Sequence, residues 1–110
     1  GVTPPNDTLG ALQDIHWSSG LFGSFCTYTI GNIMSAQFYE AALKQNPAIK
    51  PALEKGEYKP LLDWLTENVY RHGHAFLPDE LLQRSTGSKL NTGPYLRYLT
   101  EKFDLLFPPK

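Results

Sequence analysis

The sequence predicts an all-α fold of about five to six helices of unequal length. Apolar residues recur at steps of three and four in several segments, which is the helical period. Proline stands at or near the first position of several of these segments, where its fixed φ suits a helix start. We find neither a useful alternating strand pattern nor an internal repeat. At 110 residues the chain is one domain at most.

The first segment predicts a short helical turn followed by a loop. Asn6 or Asp7 can cap a turn that includes Leu9, Leu12 and Ile15. The stretches 17–20 and 21–23 are expected to be irregular, since each ends in a glycine that permits unusual backbone angles. The polar residues around position 16 therefore lie between a helix end and a glycine-rich bend.

A long helix is predicted from about Thr27 to Lys44, where apolar residues follow the helical period. Asn46 and Pro47 then predict a short helix that stops at Gly56. Three further helices are expected, each with a proline near its start. They run from Pro60 to His72, from Pro78 to a turn at 85–88, and from Thr92 along a buried stripe of Leu96, Leu99, Phe103 and Leu106.

Composition excludes several classes of protein. Ten Lys and Arg stand against eleven Asp and Glu, which argues against a nucleic-acid partner. No apolar run reaches the length of a membrane span, so no membrane partner is expected. The single cysteine excludes an internal disulfide and indicates a cytoplasmic location. The start at Gly1 without Met suggests a chain that is processed or cut from a longer one.

One cluster carries most of the chemistry. Its members are Gln13, Asp14, His16, Trp17 and Tyr28. On the residues alone, capping, turn formation and a satisfied core histidine are more common uses of these residue types than a site is. A spacing of two does not by itself aim Asp14 at the His16 imidazole, and there is no nucleophile elbow. The three histidines form no metal-binding pattern, and the lone Cys26 is expected to be a buried thiol.

The cluster resembles a family signature. Gly10, Gln13, Asp14, His16 and Trp17 match the G-x-x-Q-D-x-H-W signature of the carboxypeptidase Taq family, the thermostable zinc metallocarboxypeptidases. The run 23–32 is similar to that family's G-Y-F-P-T-Y-x-L-G-N, although Ser24 replaces its tyrosine and Cys26 its proline. Three later landmarks also match, at 70–73, 86–87 and 95–98, so the resemblance extends from Val2 to about Phe107.

The resemblance implies a piece of a larger helical metallopeptidase. Family members are several times longer, and their zinc ligands come from an upstream H-E-x-x-H helix and a further Glu that this sequence lacks. Residues 1–110 would then be a single C-terminal fragment of the catalytic domain. It would bind no metal itself, and zinc or another divalent metal would belong to the full-length enzyme. Its partners would be the upstream part of the same chain and a peptide substrate.

By the same resemblance, two residues receive catalytic roles. His16 would hydrogen-bond the substrate backbone, and Tyr28, twelve positions later, would donate to the oxyanion. Gln13, Asp14 and Trp17 would form the substrate-binding loop, with Gln13 and Asp14 orienting His16. The fragment alone is expected to be inactive.

An alternative of another class is a non-catalytic helical interaction domain. If the chain is a fragment, apolar faces exposed by the missing helices would favour association into a homodimer or a swapped assembly, as for Phe22, Phe25, Ile30 and Ile33.

Overall fold

The computed structural model describes residues 1–108, and within that range it contains helices and no strand. The predicted all-α class is therefore confirmed. Six α-helices are present: α1 (Ile15–Ser18), α2 (Cys26–Gln45), α3 (Ile49–Glu54), α4 (Lys59–Asn68), α5 (Pro78–Thr86) and α6 (Gly93–Leu106). Three short 3₁₀ turns lie at Asp7–Leu9, Ala11–Gln13 and Tyr70–His72. No helix in the described range is long and apolar enough to cross a bilayer.

Two compact units divide the chain, Gly1–Ile30 and the residues from Gly31 onward. In the first unit, Asn6 rather than Asp7 is the cap, and its Oδ1 accepts a hydrogen bond from the Leu9 N–H at 2.9 Å. The loop expected at 17–20 is wrong for its first two residues, because Trp17 and Ser18 belong to α1. The cap that Asp14 provides explains this extra helical turn.

The second unit has a small core. Four buried residues form it, Ala41, Ala42, Ile49 and Trp64, with further apolar side chains packed against them. Trp64 also satisfies its indole N–H, which donates to Gln45 Oε1 at 2.8 Å. Because the core is small, single substitutions within it are expected to remove a large share of the stability.

One polar residue is buried on α2. Gln37 is 3% exposed, and its Nε2 donates to Lys89 O at 3.0 Å and to Ser88 Oγ at 3.2 Å. Its Oε1 accepts from the Asn91 N–H at 2.8 Å. These bonds fasten the segment between α5 and α6 to α2.

The helix boundaries agree in part with the predictions. The long helix confirms the expected 27–44 range to within a residue at each end. Asn46 accepts from the Ala48 N–H at 3.2 Å as expected, but α3 begins at Ile49. The turn expected at 85–88 is wrong for its first two residues, since α5 continues through Thr86. Ser85 is buried, and its hydroxyl donates a hydrogen bond to Asn68 O at 2.7 Å.

The predicted buried stripe of α6 is wrong. Leu96, Leu99, Phe103 and Leu106 are between 41% and 61% exposed. Within the second unit, α6 is tied to α2 by an ion pair between Arg97 and Glu40. Glu40 also accepts from Lys44 Nζ at 2.6 Å, and this bond and the Arg97 bond hold the pKa of Glu40 below its usual 4.5. An ion pair therefore joins α6 to α2, while the apolar stripe of α6 stays exposed.

Candidate functional site

The site lies in the first unit, where Asp14 organises α1. Asp14 has an extended backbone at the N-cap, and its Oδ1 accepts a hydrogen bond from the His16 N–H at 2.9 Å. This is an N-cap hydrogen bond, in which a short acidic side chain accepts from a helix N–H that would otherwise be unpaired. The cap fixes the backbone of His16 relative to the carboxylate.

The same carboxylate oxygen also binds the imidazole. Asp14 Oδ1 lies 2.6 Å from His16 Nδ1. The expectation that a spacing of two does not aim Asp14 at His16 is therefore wrong. The reason is the cap, which folds the carboxylate back over the second residue of the helix and brings it within reach of both nitrogens.

Both bonds keep Asp14 ionised. The bond from the His16 backbone N–H, and then the bond from its side chain, lower the pKa of Asp14 from 3.8. An ionised carboxylate only accepts hydrogen bonds, so His16 Nδ1 must carry the proton. In the neutral imidazole, Nε2 is then the free acceptor.

The third member of the site is Tyr28, in the first turn of α2. Its hydroxyl lies 3.3 Å from His16 Nε2 and its side chain is 60% exposed. The bend between α1 and α2 uses Gly20 and Gly23, whose φ angles of 69° and 77° lie in the left-handed region that favours glycine. The Leu21 N–H closes the bend by donating to His16 O at 2.9 Å.

Aromatic rings surround this polar chain. Phe25 contacts the His16 ring at a centroid distance of 4.8 Å, and Trp17 at 5.1 Å. Trp17 in turn stacks on Phe22 at 5.7 Å. Trp17 thus contacts two phenylalanine rings, and it remains 37% exposed.

Two other residues of the segment have local partners. Gln13 Nε2 donates to Thr8 O at 2.6 Å, which joins the two 3₁₀ turns. Cys26 is exposed and its Sγ donates to Gly23 O at 3.3 Å, so the expectation of a buried thiol is wrong.

Comparison with known proteins identifies the family. Residues 1–103 match the model of the carboxypeptidase Taq (M32) metallopeptidases. The chain belongs to this family. It is 39% identical over 107 residues to thermostable carboxypeptidase 1 of Thermus thermophilus and 38% identical over 107 residues to carboxypeptidase 1 of Bacillus subtilis. Each alignment covers 97% of this chain and 21% of the relative, so the chain spans about a fifth of their length.

Solved M32 structures have the same fold over this range. The crystal structure of the M32 carboxypeptidase from Deinococcus radiodurans R1 matches with a TM-score of 0.85 at 48% identity, and covers 99% of this chain and 22% of that chain. Metallocarboxypeptidase 1 of Trypanosoma cruzi matches with a TM-score of 0.79 at 35% identity, over 89% of this chain and 21% of that chain. The family resemblance seen in the signature is confirmed.

The metal implied by the M32 family does not fit the residues described here. Within residues 1–108, no group of three or more His, Cys, Asp or Glu side chains converges as a metal site needs. His16 is engaged by Asp14 and Tyr28. His72 packs instead against the Phe76 ring at 5.2 Å.

Sequence reasoning missed Phe25, whose ring contacts His16, Trp17 and Tyr28 in the candidate site. The sequence places Phe25 only in the family run and on an apolar face. Its spacing of three from Tyr28 is the available signal, because residues three apart lie on the same side of a helix. Contact with His16 could not be read from that spacing, since it depends on the glycine bend.

Proposed function

We propose that this chain supplies substrate-contacting groups to a metallocarboxypeptidase, which removes C-terminal amino acids from peptides. The observation that carries the proposal is the connected series Asp14, His16 and Tyr28 in a member of the M32 family. His16 would bind the substrate backbone beside the scissile bond. Tyr28 would donate a hydrogen bond to the oxyanion that develops on the attacked carbonyl.

The proton positions support a division of work between these two side chains. When His16 is neutral, the Tyr28 hydroxyl donates toward Nε2 and its own proton is engaged. When His16 is protonated, Nε2–H donates to the phenolic oxygen and leaves the hydroxyl proton free. A hydroxyl proton that is free in this way can be donated to an oxyanion.

Gln13 and Trp17 are proposed to complete the substrate-binding loop with Asp14. Trp17 offers a half-exposed ring face beside the polar series, and such a face can pack against an apolar side chain of a peptide. Gln13 holds the loop through the bond from its Nε2 to Thr8 O, and the residue is exposed. Asp14 acts mainly by orienting His16.

We place the metal outside these residues. Residues 1–110 would be one piece of a longer catalytic domain, and a zinc or other divalent ion would be held by the part that precedes them. Family membership and the share of about a fifth of the relatives' length support this arrangement. On this proposal, the 110 residues alone do not hydrolyse peptides, and the parent enzyme is cytoplasmic.

The test measures release of C-terminal amino acids with added Zn²⁺ or Co²⁺. The protein encoded by the complete natural reading frame is compared with the 110-residue chain, which is expected to be inactive. Tyr28→Phe in the complete protein should lower kcat about 10²- to 10³-fold, the usual effect of losing one oxyanion donor. His16→Ala should also lower the activity, because it removes the proposed contact with the substrate backbone. His72→Ala, a histidine that packs on Phe76, serves as the matched control and should leave kcat unchanged.

Two outcomes would overturn the proposal. Metal-dependent turnover by the 110 residues alone would exclude the assignment as an incomplete part of a catalytic domain. Equal activity of wild type and His16→Ala would exclude the catalytic role of His16.

A second candidate function is an interaction domain without chemistry. The exposed apolar stripe of α6 favours it, because large exposed apolar patches mark association surfaces. If the chain is a fragment, association of the isolated chain into a homodimer is proposed as well. Light scattering at micromolar concentrations should give twice the monomer mass, and a monomer throughout would contradict it. A reading frame that lacks an upstream H-E-x-x-H helix would favour the interaction domain over the peptidase.

A further inference from the structure

We propose that Phe25 is a positioning residue for the reaction, one that holds the His16 imidazole between Asp14 and Tyr28. The inference rests on the proposed function for its kinetic consequence, but the positioning itself is a property of the fold. The phenyl side chain of Phe25 has no group that can donate or accept a proton. Its role is to restrict the orientations that the functional side chains can adopt.

The contacts of Phe25 carry this inference. Its ring lies 4.8 Å from the His16 ring at an interplanar angle of 61°, and 6.0 Å from the Tyr28 ring at 35°. It also meets Trp17 edge to face at 5.1 Å and 84°. Among the aromatic side chains of residues 1–108, Phe25 alone contacts His16, Trp17 and Tyr28 together. These separations and angles are those of favourable aromatic pairs.

The hydrogen bonds of the site do not suffice to fix this geometry. Helix α1 has four residues, and a helix of that length is unstable without outside contacts. The bond between His16 Nε2 and the Tyr28 hydroxyl is long at 3.3 Å, so it restrains the two side chains weakly. Rotation of the imidazole about the Asp14 bond would separate Nε2 from the hydroxyl. The Phe25 ring blocks that rotation because it lies against the imidazole and against Tyr28.

Phe22 provides a matched control. It is an aromatic residue of the same cluster that stacks on Trp17 at 5.7 Å and 25°. Its ring makes no aromatic contact with His16 or Tyr28 within the described residues. If Phe25 served only to pack the cluster, shortening either phenylalanine would have similar effects. If Phe25 positions His16, the two changes will differ.

The experiment uses the protein encoded by the complete reading frame, with Phe25→Leu, Phe25→Tyr and Phe22→Leu. Histidine labelled with ¹⁵N reports the tautomer of His16 by NMR, and peptide hydrolysis reports kcat and KM separately. Phe25→Leu should reduce the Nδ1–H form of neutral His16 and lower kcat about 3- to 10-fold, with KM unchanged. Phe25→Tyr, which keeps the ring, should restore both values. Phe22→Leu should leave the tautomer unchanged.

The outcomes separate this inference from the proposed function. An unchanged His16 tautomer in a folded Phe25→Leu protein would overturn the positioning role, whatever the kinetics. Equal changes in the Phe25 and Phe22 variants would also overturn it. If the tautomer shifts as expected while His16→Ala remains fully active, the positioning stands and the proposed catalytic role of His16 fails. Should Phe25→Leu not fold, Phe25→Met provides a second apolar replacement without a ring.

Discussion

Replacing Asp14 tests how the site assembles, because this side chain does two separate things. It caps α1 through the His16 N–H, and it holds the imidazole through Nδ1 at 2.6 Å. Asp14→Ser should keep the first role and lose the second. A serine hydroxyl caps helices well, but its shorter side chain does not extend to the imidazole.

The magnitude follows from the exposure of the bond that is lost. The His16 and Asp14 side chains are 27% and 38% exposed, so water screens the attraction between them. Without the bond, the preference of neutral His16 for the Nδ1–H form should fall by about two- to fivefold. Asp14→Asn should fall between serine and wild type, since an amide oxygen can still accept from Nδ1–H without the negative charge.

The assay is NMR of ¹⁵N-labelled histidine above the titration range of the imidazole, with helicity followed by circular dichroism. His16→Gln identifies the signal of His16. Asp14→Ala, which removes the cap as well, should lower the helicity and the stability further than Asp14→Ser does. Tautomer populations in Asp14→Ser equal to those of wild type would refute the reasoning, because they would mean that Asp14 does not orient the ring.

Three further predictions concern the stability of the second unit and its dependence on pH. Gln37→Leu should destabilise the protein by about 2–4 kcal/mol in urea denaturation, since it removes three hydrogen bonds. Ser88→Ala should cost only about 0.5–1.5 kcal/mol, since it removes one of them. Equal costs of the two substitutions would contradict the assigned bonds. Ile49→Ala should lower the free energy of unfolding by about 2–5 kcal/mol and Ile49→Val by about 0.5–1.5 kcal/mol, because Ile49 is fully buried. A smaller loss of stability for alanine than for valine would exclude that burial. Because the folded pKa of Glu40 lies below 4.5, the stability that its carboxylate contributes is complete above pH 4.5 and is lost as the pH falls through the folded pKa. Glu40→Gln should therefore flatten the dependence of stability on pH in that range. An unchanged slope would argue against the Lys44 and Arg97 bonds.

Much of the local structure could be predicted from the sequence, because it depends on neighbouring residues. The helical period predicts α2 nearly to its ends, and Asn6 is one of the two capping residues that the sequence offers for the first turn. The prediction of Asn46 as the cap of α3 is wrong, because Ala48 holds that position. The G-x-x-Q-D-x-H-W signature identified the family, since its residue types and spacing occur together rarely by chance. These features need no knowledge of how distant segments pack.

The burial of side chains was harder to predict. The apolar spacing of Leu96 and Phe103 on α6 predicted a buried stripe, but spacing says which residues share a face and not whether anything covers that face. Ser85 shows the reverse case. Its residue type suggests a turn, yet its hydroxyl is buried because Asn68 O lies within hydrogen-bond distance.

For the candidate site, the sequence alone determined which residues are available and that the chain belongs with the M32 family. Only the tertiary structure decided how they meet. The cap at Asp14 turns a spacing of two into a direct bond, and the bend at Gly20 and Gly23 brings Tyr28 and Phe25 back to His16. Both depend on backbone angles and on contacts across the bend, which sequence spacing does not record.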